Sequence, residues 1–297
     1  MKKRITSVIL ILVMLFTMGG CGKKTVSAGE LLEKAYENSK SVTNMTAKYT
    51  MQMDMSSAGQ SISSTTTGDI TAFTDPYKVK MNMTMDMGEL GSQDMEMYMA
   101  AEGENYYTYT GMSGVWYKQS MDKELFEKSL NSYNSELYLE SFVKSKDSFT
   151  FNETTENDKE LYQITGTLNG EALADMVNST DILSQMESFG IDSSLYEDLE
   201  DLNITLYLDK ESCNFYKMSL DMTKMMQEMM SKAMDSISDT VNGDDAAANA
   251  SANVDISKCI MEMEYTGYNN AEDFEIPEEA LNAEELDLSG LNDTTVQ

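Results

Sequence analysis

From Thr43 the chain alternates apolar and polar residues with a period of two: Met45, Ala47, Tyr49, Met51, Met53 and Met55 stand against Asn44, Thr46, Lys48, Thr50, Gln52 and Asp54. That period puts one set of side chains on one face of a β-strand and the other set on the opposite face, so the segment predicts a half-buried antiparallel strand. The same phase returns in Val79, Met81, Met83, Met85 and Met87 and in Met95, Met97 and Met99, with turn-prone residues at Asp75-Pro76 and at 88–92. Residues 105–109 and 115–118 continue the meander across a turn at 111–114. A sheet with one long apolar face must bury it against something, and helices are the natural cover.

Helical spacing supplies that cover. Ser27-Ala28-Gly29-Glu30 has the Ser-x-x-Glu spacing of a capping box. Leu31, Leu32, Ala35 and Tyr36 then form a helical stripe, predicting a helix over 28–41. Leu125, Phe126, Leu130 and Tyr133, and more loosely Leu137, Tyr138 and Phe142, predict further helix over 123–144. Strands are expected around 149–151 and 162–168, helices over 171–177 and 181–199, a hairpin of 204–208 and 216–220 about residues 209–213, and a closing strand over 256–265. Between the last two strands, residues 222–253 read as an insertion. It comprises an amphipathic helix carrying Met222, Met225, Met226, Met229, Met230 and Met234, then a low-complexity run that is expected to be disordered. Residues 287–297 have the composition of a disordered tail.

The first residues bear on compartment. Met1-Lys2-Lys3-Arg4 precedes an apolar run from Ile5 to Met18, and Gly19-Gly20-Cys21 follows. A basic start, an apolar run shorter than the roughly 20 residues of a spanning helix, and small residues at the end make 1–20 a secretory signal peptide. Cleavage there removes three of the 21 basic residues and none of the 51 acidic ones, deepening the formal charge from −30 to −33. A body so acidic repels nucleic acid and anionic lipid surfaces. The chain has no histidine. Ser-His-Asp and Cys-His catalysis and His-ligated zinc are therefore excluded, and no enzyme, metal or cofactor is expected.

The Met18-Gly19-Gly20-Cys21 junction resembles the lipobox of bacterial lipoproteins, with Met where that pattern prefers Leu. The resemblance implies that Cys21 carries the lipid, that 21–27 is a tether, and that the domain sits on the outer face of the cytoplasmic membrane. Two or more acyl chains suffice for stable anchoring. The remainder, 28–286, also resembles a known group in its order of elements and in two segments, Leu-Asn-Gly-Glu-Ala-Leu at 168–173 and Phe-Glu-Ile-Pro-Glu-Glu-Ala-Leu at 274–281. It looks like a family of Gram-positive lipoproteins similar in fold to the LolA-like lipoprotein carriers and the mycobacterial lipid-carrying lipoproteins. That similarity implies an α+β fold: a curved antiparallel sheet, a half-barrel, with helices on its concave face and a hydrophobic cavity between them.

Removing Met1, Met14 and Met18 leaves 24 of the 27 methionines, and most of those in the first half share one strand phase. Flexible thioethers suit a filled core equally well as a cavity that adapts to an apolar ligand. On the cavity reading Met51, Met53, Met81, Met83, Met85, Met95 and Met97 line it, Tyr107 and Trp116 rim its mouth, and Met225, Met226, Met229 and Met230 form a lid. The function expected is a membrane-anchored extracytoplasmic lipoprotein that binds a lipid or other apolar ligand. The competing readings are a structural or sensing ectodomain with a filled core and, through Met-x-Met spacings, a Cu(I) binder. Cys213 and Cys259 are candidate disulfide partners, although strand phase turns Cys213 outward and Cys259 inward.

Overall fold

A computed structural model of the chain describes residues 26–57, 60–131, 135–170, 173, 201–240 and 254–286. The signal peptide, Cys21, most of the tether, the expected helices beyond residue 173, the low-complexity run and the tail lie outside the described residues.

Strands β1 (Asn44–Ser57), β2 (Gln60–Thr74), β3 (Tyr77–Asp86), β4 (Ser92–Glu102), β5 (Asn105–Met112) and β6 (Val115–Met121) form one meander. Strands β7 (Thr150–Glu156), β8 (Lys159–Leu168), β9 (Leu202–Asp209), β10 (Phe215–Asp221) and β11 (Val254–Tyr268) form a second. Strand β11 returns beside β1, so all eleven make one open antiparallel sheet in the order β6-β5-β4-β3-β2-β1-β11-β10-β9-β8-β7. The α+β fold with a curved sheet expected from sequence is the fold observed.

Helix α1 (Ala28–Ser39) begins with the expected capping box: the Glu30 amide donates to the Ser27 hydroxyl at 3.1 Å and the Ser27 amide to the Glu30 carboxylate at 2.9 Å. Its Leu31, Leu32 and Ala35 are buried against the sheet together with Phe126 of α2 (Lys123–Asn131) and Leu139 and Phe142 of α3 (Ser135–Lys144). Under these helices the inward positions of the strands are filled: Met45, Ala47, Ile70, Ala72, Val79, Met81 and Met99 on one side, and Ile164, Ile204, Leu206, Leu208, Met218 and Met263 on the other. Two register shifts in the β1/β11 pairing, at Thr46/Ala47 and Asp54/Met55, each advance β11 by one residue, so Ile256 and Tyr268 join Cys259, Met261, Met263 and Tyr265 opposite the inward residues of β1.

Helix α4 (Thr223–Thr240) follows β10 and runs beside β11. A short α5 (Glu278–Leu281) ends a segment that crosses the opposite, mostly polar face. There Phe274, Ile276 and the fully buried Ala280 pack against Tyr98 and Tyr109. Residues 284–286 then add a short parallel bridge to β6, with the Leu286 amide donating to the Lys118 carbonyl at 2.8 Å. That contact blunts one edge of the sheet.

Candidate functional site

The cross-strand register shows which methionines meet. Met51 stands opposite Met261 and Met53 opposite Cys259 across β1/β11. Met81 stands opposite Met97, and Met83 opposite Met95, across β3/β4, and Met95 is flanked in turn by Met112 of β5. All seven methionines expected from sequence therefore share the face that carries the helices.

Their environments differ by position along the strands. Met81 is buried, at 7% exposure, beneath the helices. Met51, Met53, Met83, Met95 and Met97 are half-buried, and Met85, one step further along β3, is 42% exposed. The register adds four apolar neighbours to that end of the same face, Ile62, Met112, Val115 and Tyr117, all exposed. Sequence reading passed over Ile62 because it is isolated in a Ser/Thr-rich stretch, and over Met112 because it abuts a glycine turn. The result is an apolar shelf of thioether and aliphatic groups that begins where the helix-covered core ends. Ser64 and Thr66 of β2 separate it into two patches, Met51, Met53 and Ile62 on one side and Met83, Met85, Met95, Met112 and Val115 on the other. Single exposed apolar residues are ordinary on any surface, but such patches on one sheet face are not. Tyr49 sits at the boundary, its hydroxyl 3.1 Å from the Met51 sulfur, and burial pushes its ionisation up to about 12, with the Cys259 thiol adding to the shift.

Tyr107 and Trp116 correct the sequence reading. Tyr107 shares a face with Tyr109 and Trp116 with Gly111, and both pack beneath the C-terminal segment with Phe274 and Ile276. They stand on the face opposite the methionines and do not rim a cavity there. Lys118 lies 3.9 Å over the Tyr107 ring, and Lys78 lies over Phe73 and Phe274 while pairing with Asp273. These cations and rings hold the C-terminal segment in place.

The expected lid helix is α4. Met225 packs against the main core, Met229 is buried, and Met226 and Met230 are half-buried. Its first turns are bonded to β11 at three points. The Met222 amide donates to the Cys259 carbonyl at 2.8 Å, the Cys259 amide donates to the Thr223 hydroxyl at 2.9 Å, and the Gln227 side chain bonds to Val254 and Ile256.

Cys213 and Cys259 are both buried and are separate thiols. Cys213 does not turn outward as its strand phase suggests. It lies in the β9–β10 turn at φ 56°, and an irregularity between Phe215 and Lys217 resets the phase. The two thiols sit at opposite ends of the seven-residue β10, roughly 20 Å apart at strand rise, beyond the reach of a disulfide.

Solved structures similar in outline include LprF from Mycobacterium bovis, 10% identical with a TM-score of 0.42 over 85% of this chain and 97% of that one. A DUF1329 family protein from Desulfovibrio piger is 6% identical, with a TM-score of 0.26 over 83% of this chain and 93% of that one. A beta-barrel-like protein of the domain of unknown function DUF1849 from Brucella abortus is 7% identical, with a TM-score of 0.23 over 76% of this chain and 97% of that one. No curated protein matches the chain. The model of a family of unknown function, DUF6612, matches residues 27–285, nearly the whole of the folded region with its sheet, shelf and C-terminal clasp, and the chain belongs to that family.

Proposed function

We propose that the protein is a non-enzymatic lipoprotein, anchored through lipid on Cys21 to the outer face of the cytoplasmic membrane, that holds an apolar ligand or lipidated partner against its methionine shelf. One observation carries this reading: the apolar face of β1–β6 continues past the helices that bury its first half. Exposed Ile62, Met85 and Met112 extend the half-buried row of Met51, Met53, Met83 and Met95. A filled core alone gives no reason for that continuation, because exposed strand positions are normally polar. Unbranched thioethers repack around acyl chains of varied shape.

The test is native mass spectrometry of the full-length chain purified from a bacterial host, paired with an environment-sensitive apolar dye. Co-purified acyl-bearing molecules are expected, together with dye binding that Met95→Glu abolishes at an unchanged melting temperature. A bare mass without dye binding would sink the proposal in favour of a structural or sensing ectodomain. Stoichiometric copper would sink it in favour of a soft-metal buffer.

A further inference from the structure

The larger of the two shelf patches presents its thioethers to solvent at one end and buries them at the other. Met83, Met95 and Met112 stand in one cross-strand row over β3, β4 and β5, which ends on Val115 of β6. Met83 lies across Gly68 of β2, where a Cβ would come within 2.9 Å of the methionine Cγ, so the row reaches over β2 as well. Met85 stands one step outward from Met83, between Thr66 and Gln93. Met85 and Met112 are exposed and Met83 and Met95 half-buried, whereas Met81 and Met99, further inward on the same strands, are buried beneath the helices.

The usual target of peroxide in a protein is an accessible thiolate. Cys213 and Cys259 do not offer one: both thiols are buried, and burial, with nearby Asp221 adding to it, pushes the Cys259 thiol up and away from its reactive form. Cys21 is the residue assigned to lipid. An oxidant arriving at this face therefore meets the thioethers of Met85 and Met112 first.

The chemistry is a two-electron transfer. The sulfur lone pair attacks hydrogen peroxide, the O–O bond breaks, the sulfur becomes a sulfoxide and the peroxide leaves as water. Methionine sulfoxide reductases reverse the step: the oxygen departs as water while a dithiol is oxidised to a disulfide. On Met112 the new oxygen stands beside Met95 and Val115, which have no donor for it, and on Met85 it stands beside the Thr66 hydroxyl and the Gln93 amide, which can donate. In both places a polar acceptor replaces apolar surface, and an acyl chain laid on the row must strip it of water. The helix-covered methionines are out of reach, so the fold stands while the shelf changes character. We propose that Met85 and Met112 are reversible sulfoxidation sites through which hydrogen peroxide switches the shelf from holding its apolar ligand to releasing it, an inference that rests on the shelf being the ligand surface.

The experiment treats the full-length chain with hydrogen peroxide until peptide mass spectrometry finds Met85 and Met112 as sulfoxides, then measures binding of the apolar dye and the melting temperature. Dye affinity should fall about tenfold or more, the effect of one unsatisfied polar group set against an apolar ligand, at an unchanged melting temperature. Methionine sulfoxide reductases of both stereospecificities, with dithiothreitol, should restore it. A chain carrying Met85→Leu and Met112→Leu, volume-conserving swaps that leave no sulfur to oxidise, should keep its dye affinity through the same treatment. Undiminished dye binding with both sulfoxides present would overturn the inference and leave the ligand reading standing. An equal loss in the double-leucine chain, a loss that reduction of the sulfoxides does not reverse, or a melting temperature that falls along with the affinity would also overturn it. Failure of the untreated chain to bind the dye would instead remove the ligand reading, and the switch with it.

Discussion

Gln227 completes the edge of β11 at Ile256. Its side-chain oxygen accepts from the Ile256 amide at 2.5 Å and its side-chain nitrogen donates to the Val254 carbonyl at 3.2 Å, so one glutamine amide stands where a neighbouring strand's peptide group would be. Strand β10 pairs with β11 only as far as Asp221 opposite Ile260, and the helix that follows supplies the missing partners through Met222, Thr223 and Gln227. A helix is thereby bonded into a sheet edge, which ties the methionine face of α4 to the core.

Replacing Gln227 with Leu keeps the bulk and removes both hydrogen bonds, leaving the Ile256 amide and Val254 carbonyl without partners. The expected cost is about 1–3 kcal/mol in urea unfolding, with faster exchange of the Ile256 amide. A change within ~0.5 kcal/mol would mean that the side chain contributes nothing to the edge.

Asp209 gives a pH-dependent term. Burial pushes its carboxyl up, but the Ser212 amide and hydroxyl, the Glu211 amide and the nearby Lys159 outweigh that and hold it below the usual aspartate range. A group whose folded value is depressed contributes stability above its unfolded value and loses it as pH falls through the folded one. Asp209→Asn should therefore melt below the parent at neutral pH, and the gap should close on acidification beneath the ordinary carboxylate range. A gap that stays constant into that range would assign the loss to turn geometry alone.

Legibility in the sequence followed how one-sided each strand is. Strands β1 and β3 announce themselves because their inward positions are apolar and their outward ones polar almost throughout, and β4 does so through Met95, Met97 and Met99 although Tyr98 and Ala100 face the other way. Strand β2 does not: Ser61, Ser63, Ser64 and Thr65 to Thr67 are polar on both phases, and only Ile70 and Ala72 are buried. Its threonines carry strand propensity that could have identified it. In β5 the run Tyr106-Tyr107 has no period, since Tyr106 packs inward on Phe126 at 4.7 Å while Tyr107 faces the other way. The aromatic cluster was visible, but its face was not. The clasp at 274–286 is distinctive as a segment, yet its docking on β4–β6 depends on contacts more than 150 residues apart.

Cys21 is the anchor of the proposed localisation. Cys21→Ala should release the protein from the membrane fraction or leave an unprocessed precursor retaining residues 1–20. Continued incorporation of radiolabelled palmitate by the variant would show that Cys21 is not the lipidated residue.

Methionine oxidation separates core from shelf in one experiment. Peroxide adds oxygen to sulfur and turns a flexible apolar side chain into a polar one, so susceptibility follows exposure of the thioether. Met45, Met81 and Met99 are 4%, 7% and 3% exposed, whereas Met85 and Met112 reach 42% and 36% on the same face of the same sheet. Strand phase alone would make all of them equal, so any ordering comes from how far the helices extend over the sheet. Peptide mass spectrometry of the folded domain should find Met85 and Met112 oxidised first, Met51, Met53, Met83 and Met95 next, and the three buried residues only on the timescale of opening of the whole core. An apolar ligand seated on the shelf should slow the first two groups and leave the third unchanged. Equal rates for Met45 and Met85 would contradict the gradient, and protection that spreads to Met45 and Met81 would mean that the ligand stabilises the whole fold instead of shielding the shelf.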